Sequence, residues 1–176
     1  TAEGYGAGQH ETLLGRALKQ CGKRREDYVV STKVFSGNPK NSNGIGTSRK
    51  RVIEALDASL KRLQLDYVDV VFAHAFDDDT PIEETVFAFA HVIKEGKALY
   101  WATSNRTPDQ ILDAMRIADK YGLPAPIAEQ CQYNLLCREN IERNFTYLFD
   151  KFGYGATVYA PVAGGLLTNK FTEAVK

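Results

Sequence analysis

Five short runs rich in β-branched and aromatic residues recur along the chain, over residues 28–33, 67–74, 98–103, 127–131 and 156–159. Tyr67-Val68-Asp69-Val70-Val71-Phe72-Ala73-His74 has little polar alternation, the pattern of a strand covered on both faces of a parallel sheet. Between the runs the apolar residues take helical spacing. Leu13, Leu14, Ala17, Leu18 and Cys21 form one stripe that stops at Gly22, and Val52, Ile53, Leu56, Leu60 and Leu63 form another that begins near Thr47 or Ser48. Thr80-Pro81-Ile82-Glu83 and Thr107-Pro108-Asp109-Gln110 each combine a capping hydroxyl, a proline at the first helical position and a Glu or Gln at the third. They predict two helices with capping boxes, ending at Gly96 and Gly122. A further helix is expected over 138–152, and a loop from Gly164 onward.

Strand and helix therefore alternate at about thirty residues per unit, the length of a βαβ repeat with parallel strands. Such units build either an open doubly wound sheet or a closed barrel, and the strand ends discriminate. At or beside the ends of the five runs stand Lys33, His74, Ser104, Gln130 and Tyr159, each able to donate or accept a hydrogen bond. In a doubly wound sheet, polar ends concentrate at the switch point; in a barrel, all of them converge on one mouth. The pattern predicts an α/β fold of the (β/α)8 barrel type. A complete barrel takes about 250 residues, so the 176 residues form one domain, 1–176, of about five βα units, incomplete at both ends.

Composition narrows the function classes. Lys plus Arg (22) balances Asp plus Glu (22), so no net charge asks for nucleic acid or an anionic membrane. Lys23-Arg24-Arg25 and Arg49-Lys50-Arg51 read as solvated helix ends, and Asp77-Asp78-Asp79 as a solvated loop. No metal site is expected. His10-Glu11 is not a zinc motif, because Leu14 stands where the second His would be. Cys21, Cys131 and Cys137, odd in number and scattered, read as thiols of a reducing compartment. Without a membrane-length apolar run or a signal-peptide pattern, the expectation is a soluble cytoplasmic protein. Gly4, Gly6 and Gly8 have no strand before them and predict a turn rather than a phosphate loop. The long loop that ends at Gly46 is a candidate binding loop or lid.

At one barrel mouth, Tyr5, Lys33 and His74 would make a proton-donating group. A phenol of ordinary pKa ~10 is a poor acid at neutral pH unless a nearby cation stabilises the phenolate, and Lys with His is a combination that does so. Ser104, Asn105 and Gln130 could fix a carboxamide, with Tyr159 offering a flat face for stacking. A carboxamide on a flat ring describes nicotinamide.

Several motifs carry a resemblance in both order and spacing: Thr1-Ala2-Glu3-Gly4-Tyr5, Ser31-Thr32-Lys33, the run from Ala58 to Val70 that leads to His74, Trp101-Ala102-Thr103-Ser104-Asn105 and Glu129-Gln130. Together they resemble the aldo/keto reductase superfamily. Asp79-Thr80-Pro81-Ile82-Glu83-Glu84-Thr85-Val86 and His91-Val92-Ile93-Lys94-Glu95-Gly96-Lys97-Ala98 are most similar to its voltage-gated potassium channel β-subunit branch. The resemblance implies a (β/α)8 barrel, NADPH, and reduction of a small-molecule aldehyde or ketone. It places the proton donor on Tyr5, the activating lysine on Lys33 and the active-site histidine on His74. The family's fourth catalytic residue, an Asp, would lie immediately before Thr1. Ser104, Asn105 and Gln130 match the carboxamide ligands, and Tyr159 matches the stacking ring. The cofactor set extends to Pro161, Gly165 and Lys170, the last two in a stretch that resembles the loop over the pyrophosphate. At His74 and Asn105 the chain follows ordinary reductases, since channel β subunits usually carry Asn and Arg there. Two function classes follow: an NADPH-dependent carbonyl reductase, or a nucleotide-binding regulatory subunit with a channel partner. A homo-oligomer is compatible with either, and an inactive fragment is the third alternative.

Overall fold

The computed structural model describes residues 1–37, 40, 41 and 43–171. Strand and helix alternate as α1 (Gln9–Gln20), β1 (Ser31–Val34), α2 (Arg49–Leu63), β2 (Val68–Ala73), α3 (Ile82–Lys94), β3 (Ala98–Ser104), α4 (Pro108–Tyr121), β4 (Ala128–Gln132), α5 (Thr146–Phe152) and β5 (Gly155–Tyr159). All five strands are parallel and pair in the order β1-β2-β3-β4-β5. A sheet whose spatial order follows its chain order never reverses and so has no switch point. It is the wall of an incomplete (β/α)8 barrel, as the strand ends predict.

The main core lies between the sheet and its helices. Val34, Val71, Ala73 and Trp101 from the strands pack with Val52, Leu56, Val86, Phe89 and Ala114 from α2, α3 and α4. Phe89 and Trp101 stack with ring centroids 4.9 Å apart, and the Trp101 indole N–H donates to the Pro124 carbonyl. Because side chains alternate along a strand, committing Val34, Val71 and Ala73 to the helix layer puts Lys33, Phe72 and His74 on the opposite face. That alternation creates the site.

Several expectations change at element boundaries. β1 begins at Ser31 instead of Tyr28, because the Asp69 carboxylate accepts the Val30 N–H at 2.7 Å and takes that group out of the ladder. Val29 points into solvent. The helix expected from Arg138 is interrupted by a π-turn at Asn140–Asn144, where the Phe145 N–H bonds the Asn140 carbonyl. The extra residue rotates Phe145 into a second apolar cluster with Ile111, Cys131, Leu148 and Tyr154. Thr107 makes its capping box with Gln110, but Thr80 does not make one. Pro81 is the cap of α3, and the Thr80 hydroxyl bonds Asp77 instead.

The inner face of α1 is also more polar than its stripe suggests. Leu13 is exposed, whereas Glu11 and Gly15 are buried and Leu14 and Leu18 half-buried. The Glu11 carboxylate accepts from the Thr32 hydroxyl on β1 and from Arg62 Nε on α2. Gly15 lets α1 cross α2 closely: a Cβ there would stand 2.3 Å from the Leu63 carbonyl oxygen.

Two basic clusters expected to be solvated send one member inward. Arg25 pairs with Asp69 at 2.6 Å beneath β2, and Arg51 with Glu3 at 2.5 Å. Asp77 is likewise half-buried, since its carboxylate accepts the Thr47 N–H at 2.6 Å at the entrance to α2. Asp78 and Asp79 do face solvent. Gly6 and Gly8 take left-handed conformations in a tight turn before α1. Asn38, Pro39 and Ser42, in the loop expected to bind or cover a ligand, lie outside the described residues. The described base of that loop is closed by the Gly37 N–H donating to the Gly44 carbonyl, which also accepts from Arg51 Nε. Among the described residues the cysteines are free thiols, and no helix is long and apolar enough to cross a membrane.

Candidate active site

Lys33 stands one residue before the end of β1, paired with Phe72, and His74 follows β2 directly, so the parallel register brings them to the same end and face of the sheet. Tyr5 reaches them from the N-terminal segment, which is tied to β1 by the Glu3 N–H donating to the Lys33 carbonyl. The Glu3 carboxylate then accepts the Phe35 N–H at 2.7 Å and the Arg51 guanidinium, fixing the strap against both β1 and α2. As a result the Tyr5 hydroxyl lies 3.4 Å from His74 Nε2, and the Lys33 ammonium stands 5.1 Å from the centre of the phenol ring.

The charges suit this geometry. Lys33 is buried, which holds its pKa below the usual lysine value, and its ammonium donates to the Thr1 carbonyl at 3.1 Å. Burial and then the Lys33 charge depress the His74 pKa, so the imidazole is neutral at pH 7. A neutral ring has one N–H. If Nε2 carries it, it donates to the Tyr5 oxygen, and the phenol proton is left to point at a substrate. His74 Nδ1 is buried with no hydrogen-bond partner among the described residues.

Beside this trio is a second group at the ends of β3, β4 and β5. Asn105 has a left-handed backbone, φ 56°, which an asparagine tolerates better than most residues and which turns the chain sharply after β3. Its N–H and the Ser104 hydroxyl both donate to the Gln130 carbonyl. Asn105 Nδ2 donates to Ser104 Oγ, Asn105 Oδ1 accepts from the Tyr159 hydroxyl at 2.8 Å, and Gln130 Nε2 donates to Thr157. These bonds use one of the two hydrogens on each amide nitrogen. Ser104, Asn105, Gln130 and the half-exposed Tyr159 ring thus form a set whose donors fit a carboxamide and whose aromatic face fits a flat heterocycle.

The remaining expected cofactor residues lie beyond β5. Pro161 is in the turn after it, Gly165 in a short 3₁₀ turn with φ 101°, and Lys170 in the turn Asn169–Phe171. They share one stretch of chain beyond the end of β5. No cluster of potential metal ligands occurs among the described residues. A groove of about 870 Å³, lined by Leu112, Met115, Leu123, Ile127, Tyr147 and Phe152, lies between α4 and α5 near the starts of β4 and β5. It shares no residue with the rim.

Sequence reasoning did not assign the residues behind the rim. Glu129, fully buried on β4, accepts from the Thr103 hydroxyl at 2.6 Å and from the Arg106 N–H at 3.1 Å. Arg106 is itself buried, with its guanidinium donating to the Ala75 carbonyl and lying 5.0 Å from the Phe76 ring centre. A carboxylate inside a strand pattern, one residue from a polar strand end, is the signal that could have found Glu129.

The aldo/keto reductase family model matches residues 1–175. A Schizosaccharomyces pombe protein is 48% identical over 176 residues, covering 99% of this chain and 51% of its own length. Proteins from Arabidopsis thaliana and Oryza sativa subsp. japonica are each 45% identical over 172 residues, covering 98% of this chain and 52% of their own. All three carry provisional names as voltage-gated potassium channel β subunits. The chain spans about half the length of these relatives. From a family match that runs through nearly every residue, and from these identities, the chain belongs to the aldo/keto reductase family.

Proposed function

We propose that this chain carries the catalytic rim of an NADPH-dependent reductase that converts an aldehyde or ketone into an alcohol. The observation that carries the reading is the Tyr5 hydroxyl 3.4 Å from His74 Nε2, beneath a buried lysine ammonium. The bound cofactor supplies the hydride that reduces the carbonyl carbon. Tyr5 holds a proton at Oη and delivers it to the substrate oxygen as negative charge develops there. Lys33 and the Nε2–H of His74 stabilise the phenolate left behind, and their partly buried position strengthens that electrostatic contribution. Ser104, Asn105 and Gln130 orient the nicotinamide carboxamide, while Tyr159 excludes water from one face of the ring. Pro161, Gly165 and Lys170 are assigned to the rest of the dinucleotide, with Lys170 toward a phosphate.

The test is NADPH oxidation by the full-length protein across a panel of aldehydes and ketones. Turnover of at least one is expected, and cofactor binding without turnover of any would overturn the enzymatic reading. The names of the relatives favour a second reading, a regulatory subunit that binds nucleotide and associates with a cation channel in the cytoplasm. Co-purification with a channel tetramerisation domain would support it, and the two roles are compatible in one protein.

A further inference from the structure

The nicotinamide pocket proposed above is one side of a strand whose other side holds an unexpected carboxylate. Gln130 faces the rim; Glu129, the residue before it, faces the helix layer and is fully buried. The Ser104–Arg106 turn is therefore gripped from both faces of β4. On the rim side the Gln130 carbonyl accepts from the Asn105 N–H and the Ser104 hydroxyl. On the far side Glu129 Oε1 accepts the Arg106 N–H at 3.1 Å and Oε2 accepts the Thr103 hydroxyl at 2.6 Å. Asn105, between these grips, has φ 56°, a conformation that needs its surroundings to hold it.

We propose that Glu129 is a positioning residue of the nicotinamide pocket, whose carboxylate fixes the Ser104–Arg106 turn and makes cofactor affinity depend on its protonation state. The inference rests on the reductase reading of the rim. Ionised, the carboxylate is an acceptor only, and its bonds to Arg106 N–H and Thr103 are charge-assisted and correspondingly strong. Protonated, it donates to Thr103 Oγ, which can pass its own hydrogen to the Tyr154 oxygen 2.8 Å away, and Tyr154 donates to the Ala128 carbonyl at 2.9 Å. Both states are satisfied, but the protonated one holds Arg106 N–H through a neutral carbonyl and grips the turn less firmly.

The surroundings put this change within the physiological range. Burial raises the Glu129 pKa to about 7, against the opposing pull of the Thr103 hydroxyl, the Arg106 N–H and the Arg106 charge. The other titratable groups coupled to it are Tyr154 before β5, Cys131 on β4 and Tyr159 at the end of β5; Asp77 acts on Arg106 from the loop after β2. Burial raises the pKa values of the two tyrosines and of Cys131, so all three stay neutral between pH 6 and 8. Glu129 is the member of the group that titrates there.

The experiment compares the full-length protein with Glu129→Gln, a neutral isostere, by NADPH fluorescence titration at several pH values between 6 and 8. The cofactor's own phosphate titration is common to both proteins and cancels in their ratio. Wild-type affinity relative to Glu129→Gln is expected to rise about fivefold from pH 6 to pH 8, the scale separating a charge-assisted from a neutral hydrogen bond. In cofactor-free protein the backbone amide resonances of Asn105 and Arg106 should titrate near pH 7 in the wild type and stay fixed in Glu129→Gln. Parallel affinity profiles, or weaker binding of the variant by the same factor at every pH, would reduce Glu129 to a merely structural residue and overturn the proposal. If the wild type binds no NADPH at any pH, the reductase reading falls and this inference with it, whereas binding with parallel profiles overturns this inference alone.

Discussion

The Tyr5 hydroxyl and His74 Nε2 lie 3.4 Å apart although 69 residues separate them in the chain. Nothing local brings them together. The contact depends on the parallel pairing of β1 with β2, which sets Lys33 opposite Phe72 and puts His74 just beyond, and on a strap that returns residues 1–5 to the end of β1. Proton transfer at such a site depends on the charge of the three groups, and this charge can be measured.

Lys33 contributes to the low His74 pKa, but after burial. Replacing Lys33 with Met should therefore raise the His74 pKa only part of the way to 6.5, the ordinary histidine value. An imidazole NMR titration of both proteins checks this. A pKa that falls or stays fixed in Lys33→Met would mean that the two side chains do not share a site in solution.

The strap depends on a buried ion pair, Glu3 with Arg51, both under a tenth exposed. Removing one partner leaves the other charged and unpaired in a poorly solvated place, at a cost of about 3–5 kcal/mol. Glu3→Ala should lower stability on that scale by denaturant unfolding, and Arg51→Met similarly, while the double variant should lose less than the two single losses added together. Additive losses would show that the pair does not interact.

Gly15 permits the crossing of α1 over α2. A Cβ there would meet the Leu63 carbonyl oxygen at 2.3 Å, closer than any real contact, so Gly15→Ala must push the helices apart. The gain in helix propensity, about 1 kcal/mol, is smaller than the cost of an overpacked core, and a net loss of about 1–2 kcal/mol is expected in thermal unfolding. A more stable variant would mean that the helices cross at a greater distance.

Glu129 also has a signature in stability. Its folded pKa of about 7 lies above the ordinary 4.5, so between these values the folded state binds the proton that the unfolded state releases. The contribution is complete below pH 4.5 and is lost as pH rises through 7. Relative to Glu129→Gln, in which that position cannot titrate, the wild type should lose on the order of 3 kcal/mol between pH 4 and pH 8. Equal pH dependence in both proteins would contradict the buried, protonated state.

The architecture was legible because strand and helix patterns repeat at a fixed interval and the strand ends are all polar, a feature of the whole sheet rather than of one position. Lys33, His74, Ser104, Asn105, Gln130 and Tyr159 stand at or beside strand ends and could be named as candidates for the same reason, whereas Tyr5 lies in the turn before α1, ahead of every strand. The polar residues that point the other way were not legible. Glu3, Glu11, Arg51, Asp77 and Glu129 look solvated in sequence, yet each finds a partner 20 or more residues away. Strand alternation sends Glu129 into the core, but nothing local announces that Arg106 N–H and Thr103 wait there. Charge patterning reads neighbours along the chain; these pairs are neighbours only in the fold. The break at Asn140 was hidden similarly, since burial of Phe145 against Leu148 and Tyr154 overrides a regular helical stripe.

The most direct measurement is turnover by the full-length protein with Tyr5 replaced by Phe, using any carbonyl compound that the wild type reduces. If Tyr5 supplies the proton, kcat should fall by about 10²–10⁴-fold, while NADPH affinity, which the proposed function assigns to groups at the ends of β3, β4 and β5, should stay within about twofold of wild type. Turnover in Tyr5→Phe within a few-fold of the wild type, at equal cofactor occupancy, would contradict the assignment of the phenol as the acid of this site.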